Sequence, residues 1–199
     1  MPAMSRWAQR FAPFIGLVLV ALVFSNLTGA PDRNLSLQNL RVILAQTLIV
    51  GLGAIGMTFI IVSGGIDLSV GSVIALAGVV AAVVLRDGQS PALAIGAAVL
   101  TGAIVGAWNA ALITGLRVIP FIATLGTLGV ARGLAKWIAG ERTVNIPDTW
   151  INELAVTFPA LSWMLVAPGI WIAVVLAVIA ALVLKHTVFG RRVYAIGSR

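Results

Sequence analysis

Charged residues divide this chain into long uncharged runs, and those runs constrain its fold more than any other feature. Phe11 to Pro31, Val42 to Ile66 and Leu68 to Leu85 contain no Asp, Glu, Lys or Arg. A helix needs about 20 mainly apolar residues to cross a hydrocarbon core of about 30 Å. Of the 199 residues, 60% are hydrophobic and 10% charged, whereas a soluble domain has about 25% charged residues. A globule of this size has too little interior to hide that much apolar surface from water. The sequence therefore predicts an all-α, polytopic helical membrane protein, with about six transmembrane helices in a single transmembrane domain over residues 1–199.

The expected spans lie near 11–30, 42–62, 68–85, 91–113, 120–138 and 163–184. The second and third are separated only by Ser63-Gly64-Gly65-Ile66-Asp67-Leu68-Ser69. Together they are too long for one crossing, so a hairpin or a broken helix is required. Pro120 suits the first turn of the fifth span, and Pro168 either kinks the sixth or marks a later start. Arg6 and Arg10 ahead of the first run, with Thr28-Gly29-Ala30 after it, also outline a cleavable signal. The length of the run and Pro31 directly after such a cut argue against cleavage.

Lys and Arg number 13 against 6 Asp and Glu, but the cations are scattered singly or in pairs. A nucleic-acid surface would cluster them and interleave aromatics, so no nucleic-acid partner is expected. With the N-terminus inside, Arg6, Arg10, Arg117, Lys185, Arg191, Arg192 and Arg199 fall on the cytoplasmic side, while Arg33, Arg41, Arg86 and Arg142 fall outside. That asymmetry predicts an N-in, C-in layout. The absence of cysteine excludes disulfides and thiolate metal sites.

Small residues at helical spacing mark faces where helices can approach closely in lipid. Gly71, Ala75, Gly78 and Ala82 form one such strip, and Gly102, Gly106 and Ala110 a second; both are expected to pack. Gly51-Leu52-Gly53-Ala54-Ile55-Gly56 matches a dinucleotide-binding pattern, but that pattern requires a preceding strand and an aqueous phosphate site. Inside an apolar run, helix packing or local flexibility explains these glycines better.

Catalysis would need a nucleophile with a base, paired carboxylates or a metal cluster. The chain has one histidine, His186, beside Lys185 at the end of an apolar run, and this reads as an interfacial residue. No catalytic, cofactor or metal site is therefore assigned. Asp67 is the most informative side chain. After Gly64 and Gly65 and before Leu68 and Ser69, its carboxylate is placed to accept backbone N–H groups of a new helix. An ionisable residue at a break in a span also lines solute paths. Thr124 and Thr127 either bond across helices or back to their own backbone. Arg132 and Lys136, four apart, share one helix face.

Three stretches carry a family resemblance. Gly56-Met57-Thr58-Phe59-Ile60-Ile61-Val62-Ser63-Gly64-Gly65-Ile66-Asp67-Leu68-Ser69-Val70-Gly71-Ser72 resembles the signature of ribose-type sugar permeases of bacterial ABC importers. Ile119-Pro120-Phe121-Ile122-Ala123-Thr124-Leu125-Gly126-Thr127-Leu128 through Ala131-Arg132-Gly133-Leu134 is similar to a second family motif, and Phe189-Gly190-Arg191-Arg192-Val193-Tyr194-Ala195-Ile196-Gly197 to a third. The resemblance implies a multi-pass permease subunit of the bacterial inner membrane that is not an enzyme. Its implied partners are a second permease copy, a separate ATP-binding cassette ATPase subunit and a periplasmic substrate-binding protein. Related permeases carry nucleosides, amino acids or furanose signals, so the solute stays open. Family members run longer, continuing into a helix that docks on the ATPase and into further spans. The expectation is an N-terminal portion that works with a C-terminal half, the alternative being a non-transporting fragment.

Overall fold

A computed structural model describes residues 6–29, 31–156 and 164–198, and its regular structure there is helical throughout. Helix α1 spans Arg6–Leu27, α2 Pro31–Asn34, α3 Leu37–Val62 and α4 Val70–Arg86. Helix α5, Pro91–Ala110, continues into a π-turn over Ala111–Gly115. Then come α6 Pro120–Ala139, α7 Trp150–Leu154, α8 Pro168–His186 and α9 Val188–Gly197. Among the described residues, three helices are long and apolar enough to cross a membrane: Leu37–Val62, Pro91–Gly115 and Pro168–His186. Shorter apolar helices occupy Phe11–Leu27 and Val70–Arg86.

Local chemistry explains the helix boundaries. Helix α3 begins five residues before the uncharged run at Val42, because Ser36 accepts the Asn39 N–H as a side-chain cap. Arg41 therefore lies inside the helix, and its Nε donates to the Leu165 carbonyl at 2.7 Å, joining α3 to the segment ahead of α8. Ser90 caps α5 in the same way through Leu93 N–H. Pro91, Pro120 and Pro168 open α5, α6 and α8, where a missing N–H leaves no bond unmade. Pro168 thus starts a helix and does not kink one. The earlier start expected at position 163 lies outside the described residues, as does Ala30 at the end of the first expected span.

The packing forms two groups. Helix α4 packs on α5 and α6, and α3 packs on α8 and α9. In the first group Leu76, Ala131 and Ala135 form a small buried cluster, flanked by Val73, Val79, Val80, Val105 and Ile138. Large apolar side chains outside it are open, including Val50 at 69%, Leu27 at 77% and Trp137 at 78% exposure. That surface is destabilising in water and ordinary in lipid, where apolar burial is no driving force for helix association.

The second group is held by close backbone approach. A Cβ on Gly169 would stand 2.6 Å from the Leu154 carbonyl oxygen and 2.7 Å from Leu48 Cδ2, so α3, α7 and α8 meet there. At Gly190 a Cβ would overlap the Leu184 carbonyl oxygen, which fixes the sharp join between α8 and α9. Phe59 and Phe189 add a tilted ring contact at 6.2 Å. Overpacking such a contact costs about 1–3 kcal/mol. Gly190→Ala should therefore lower the thermal unfolding midpoint of the detergent-solubilised chain by several degrees. Gly96→Ala, where a Cβ meets nothing within 4 Å, should leave it unchanged or raise it. Equal midpoints would show that the α8–α9 join does not need glycine.

Candidate functional site

The break between α3 and α4 is built by a glycine. Gly64 adopts φ +76°, a left-handed conformation, directly after the last residues of α3. Its N–H bonds the Ile61 carbonyl at 3.0 Å and the Gly65 N–H bonds the Ile60 carbonyl at 2.9 Å. This reciprocal pair is the Schellman arrangement, which satisfies the carbonyls a helix end leaves open. The chain then runs without helical bonds from Gly65 to Ser69, and its amides need partners from elsewhere.

Side chains supply two of them, at Leu68 and Ser69. Thr124 Oγ1 on α6 accepts the Leu68 N–H at 3.2 Å, while donating to its own helix at the Pro120 carbonyl, 2.8 Å away. Asp67 Oδ1 accepts the Ser69 N–H at 2.7 Å and the Ser69 hydroxyl at 2.6 Å. Asn109 Nδ2 on α5 donates to Ser69 Oγ at 3.1 Å, and Thr127 Oγ1 on α6 donates to Asn109 Oδ1 at 2.6 Å. The bonds run in one direction: Thr127 donates to Asn109, Asn109 to Ser69 and Ser69 to the Asp67 carboxylate. Ser69, Asn109, Thr124 and Thr127 are buried and Asp67 is half-buried. Among the described residues, no buried side-chain nitrogen or oxygen lacks a partner.

The structure brings Gly64, Gly65, Asp67, Ser69, Thr124 and Thr127 to one place. It also revises how Asp67 acts. Helix α4 starts at Val70 with Ser69 at its cap position, so the carboxylate closes a turn on Ser69 and does not reach the first helical turn. The spacing fits, since Asx side chains often bond the backbone two residues on. Arg132 stands apart, exposed on α6 beside Gly133 and outside the network. Asn109 is the residue the motif reading missed; its signal was a lone amide side chain inside an otherwise apolar run.

The small-residue strips occupy a different surface. Gly71, Ala75 and Gly78 lie on an exposed face of α4, and a Cβ on Gly71, Gly78, Gly102 or Gly106 would meet nothing within 4 Å. Within this chain α4 packs through Ser72, Leu76 and their neighbours, because that face carries the larger apolar groups. In the glycine run of α3, only Gly53 has a close neighbour, Ile74 Cδ1 at 3.3 Å from an added Cβ. The run lies within one continuous helix, not at a strand-to-helix turn.

Residues 39–198 match the family model described as branched-chain amino acid transport system / permease component. The chain is 39% identical over 192 residues to the ribose import permease protein of Bacillus subtilis, covering 96% of this chain and 58% of that protein. It is 36% identical over 185 residues to the autoinducer 2 import system permease protein of Yersinia pseudotuberculosis, covering 91% of this chain and 51% of the relative. The Yersinia pestis counterpart is 35% identical over 185 residues, with the same coverage. The chain thus spans a little over half the length of these curated relatives. No solved structure matches it.

The polar chain generates a thermodynamic prediction. Asn109→Ala leaves Ser69 and Thr127 without their shared partner and should cost about 1–3 kcal/mol. In equilibrium unfolding in mixed micelles, a double-mutant cycle of Asn109→Ala with Thr127→Ala should give a coupling of about 0.6 kcal/mol, and at most about 1.7. Thr101→Ala, whose hydroxyl bonds only its own helix at Ala97, should show no coupling with Asn109→Ala. A zero coupling between Asn109 and Thr127 would remove the link from the network.

Proposed function

Because this chain belongs to the family of branched-chain amino acid transport system permease components, we propose that it forms part of the translocation path of an ATP-driven importer for a sugar of the ribose, xylose or galactose kind. In this reading ATP is hydrolysed by a separate ATP-binding cassette subunit, and a periplasmic substrate-binding protein delivers the solute. A second permease copy or a C-terminal half completes the path. The membrane is the bacterial inner membrane, crossed about six times with both ends cytoplasmic. Helices α3, α5 and α8 are long and apolar enough for three of these crossings; in this reading α1, α4 and α6 supply the other three.

The observation that carries the proposal is the broken helix with its polar chain. A continuous apolar bundle offers a polyol nothing to exchange for its hydration, whereas the break brings polar side chains of three helices together. The Asp67, Ser69, Asn109 and Thr127 groups are one carboxylate, two hydroxyls and one amide. Ser69, Asn109 and Thr127 are buried and bonded to one another, so the half-buried Asp67 carboxylate is the member of the chain a sugar hydroxyl can reach. In the N-in layout the break opens toward the cytoplasm, beside the side on which the ATPase acts. A second reading, a different small solute, is favoured by the relatives named for autoinducer 2 import.

Uptake in inverted or right-side-out vesicles tests these statements. Vesicles holding this chain, a complementary C-terminal portion, the ATPase and the binding protein should accumulate labelled ribose only with ATP. Accumulation of autoinducer 2 in place of ribose would select the second reading. Uptake without the complementary portion would refute the need for it. Asp67→Ala should lower uptake by about tenfold, a change of about 1.4 kcal/mol, and Asp67→Asn, which still accepts from Ser69, should lose less. Equal, unimpaired uptake by both variants would separate the break from transport.

A further inference from the structure

A second feature lies away from the polar chain, where α3, α8 and α9 meet. A cavity of about 660 Å³, open along one side, is lined there by Ile55 and Thr58 of α3, by Ala177, Ala180, Ala181, Leu184 and Lys185 of α8, and by Arg191 and Tyr194 of α9. Its volume lies within the roughly 300–1,000 Å³ typical of small-molecule sites. The lining sorts by chemistry along α8. Ala177, Ala180, Ala181 and Leu184 follow the i, i+3, i+4, i+7 rule for one helix face. The small side chains leave a shallow apolar groove roughly 12 Å long between Ala177 and Lys185 at the helical rise per residue.

At the end of that groove stand Lys185, Arg191 and Tyr194. Among the described residues, none of the three side chains has a hydrogen-bond or ion-pair partner, and the sole ion pair, Arg86 with Asp87, lies on another helix. No carboxylate lines the cavity. The Thr58 hydroxyl is already used, donating to the Ala54 carbonyl at 2.8 Å. Helix α9 also exposes Val188, Phe189 and Ile196 alongside Arg191 and Arg192, the mixed surface of a helix at a membrane interface.

We propose that this cavity is a binding site for one anionic phospholipid, with its phosphate between Lys185, Arg191 and the Tyr194 hydroxyl and an acyl chain along the Ala177–Leu184 groove. The occupant follows from the combination of the two parts. A free anion would use the two cations and leave the apolar groove empty; a zwitterionic lipid would fill the groove but bring its own cation to a site that already holds two. Basic pockets between transmembrane helices on the cytoplasmic side are where acidic headgroups bind.

Native mass spectrometry of the full chain tests the assignment, after extraction in mild detergent and exchange with mixed phosphatidylglycerol and phosphatidylcholine micelles. The wild type should retain one phosphatidylglycerol in preference to phosphatidylcholine. The Lys185→Gln, Arg191→Gln double variant should weaken retention roughly 25-fold, about fivefold for each cation removed. Arg33→Gln with Arg86→Gln makes the same change in net charge elsewhere and should retain the lipid as the wild type does. Ala181→Phe fills the groove and leaves both cations in place; it should also lose the lipid, and circular dichroism reports whether each variant keeps its helix content. Equal retention of both lipids, full retention by a folded double variant or by Ala181→Phe, or displacement by inorganic phosphate alone would each overturn the proposal.

Discussion

The rest of this structure depends on how an interrupted helix finds partners for the polar groups of its break among the packed helices. Each of these side-chain bonds is worth little by itself, about 0.6 kcal/mol on average between membrane helices. Leaving a buried donor or acceptor without a partner costs about 1–3 kcal/mol. The penalty avoided therefore outweighs the bonds gained, and it decides which helices stand next to the break. Thr124 must come from α6 to meet the Leu68 amide, and Asn109 must come from α5 to span Ser69 and Thr127. The grouping of α4, α5 and α6 follows from these needs. The Leu76, Ala131 and Ala135 cluster that lies beyond it is small.

Glycine acts in two opposite ways in this chain. At Gly169, Gly190 and Gly197 an added Cβ would fall within 3 Å of a carbonyl oxygen, so the absence of a side chain is what allows those backbones to meet. At Gly71, Gly78, Gly102 and Gly106 the same atom would meet nothing. Small-residue spacing alone does not distinguish the two cases. Helix α4 shows why: Ser72 and Leu76 each follow a strip residue by one position, which turns them about 100° around the helix axis. The face they define carries the buried groups, and the Gly71, Ala75 and Gly78 face is left open.

Much of the helical architecture was legible because charge and proline are strong local signals. Pro91, Pro120 and Pro168 each stand at the first turn of a helix, as their fixed φ and missing N–H favour. The break was legible from Gly64-Gly65 followed by an acid. What the acid does was not, because accepting from Ser69 instead of the next helical turn is a difference of backbone conformation at Ser69, which sits in the αR region with no side-chain cap bond. Arg41, just ahead of the uncharged run that opens at Val42, lies within a helix, since a long cation near a helix end can reach a carbonyl on a neighbouring segment without ending its own helix. Asn109 needed three-dimensional information: its partners are 40 positions before it and 18 positions after it in the chain.

The two groups of helices are joined at the break itself. A Cβ on Gly197 would overlap the Val62 carbonyl oxygen and stand 3.1 Å from the Ser63 carbonyl carbon, and Gly64 faces Gly197 Cα in return. The end of α9 therefore rests backbone to backbone on the last turn of α3, with no side chain between them to take up a displacement. Phe59 and Phe189 hold the other end of α9 to α3. Such close backbone contact leaves no slack between α9 and the Val62–Gly64 turn. Asp67 lies only three residues beyond that turn and is bonded through Ser69 to α5 and α6. A short amphipathic helix at one end of the molecule is thus connected, through glycine contacts and a directed chain of hydrogen bonds, to the polar interior of the other helix group.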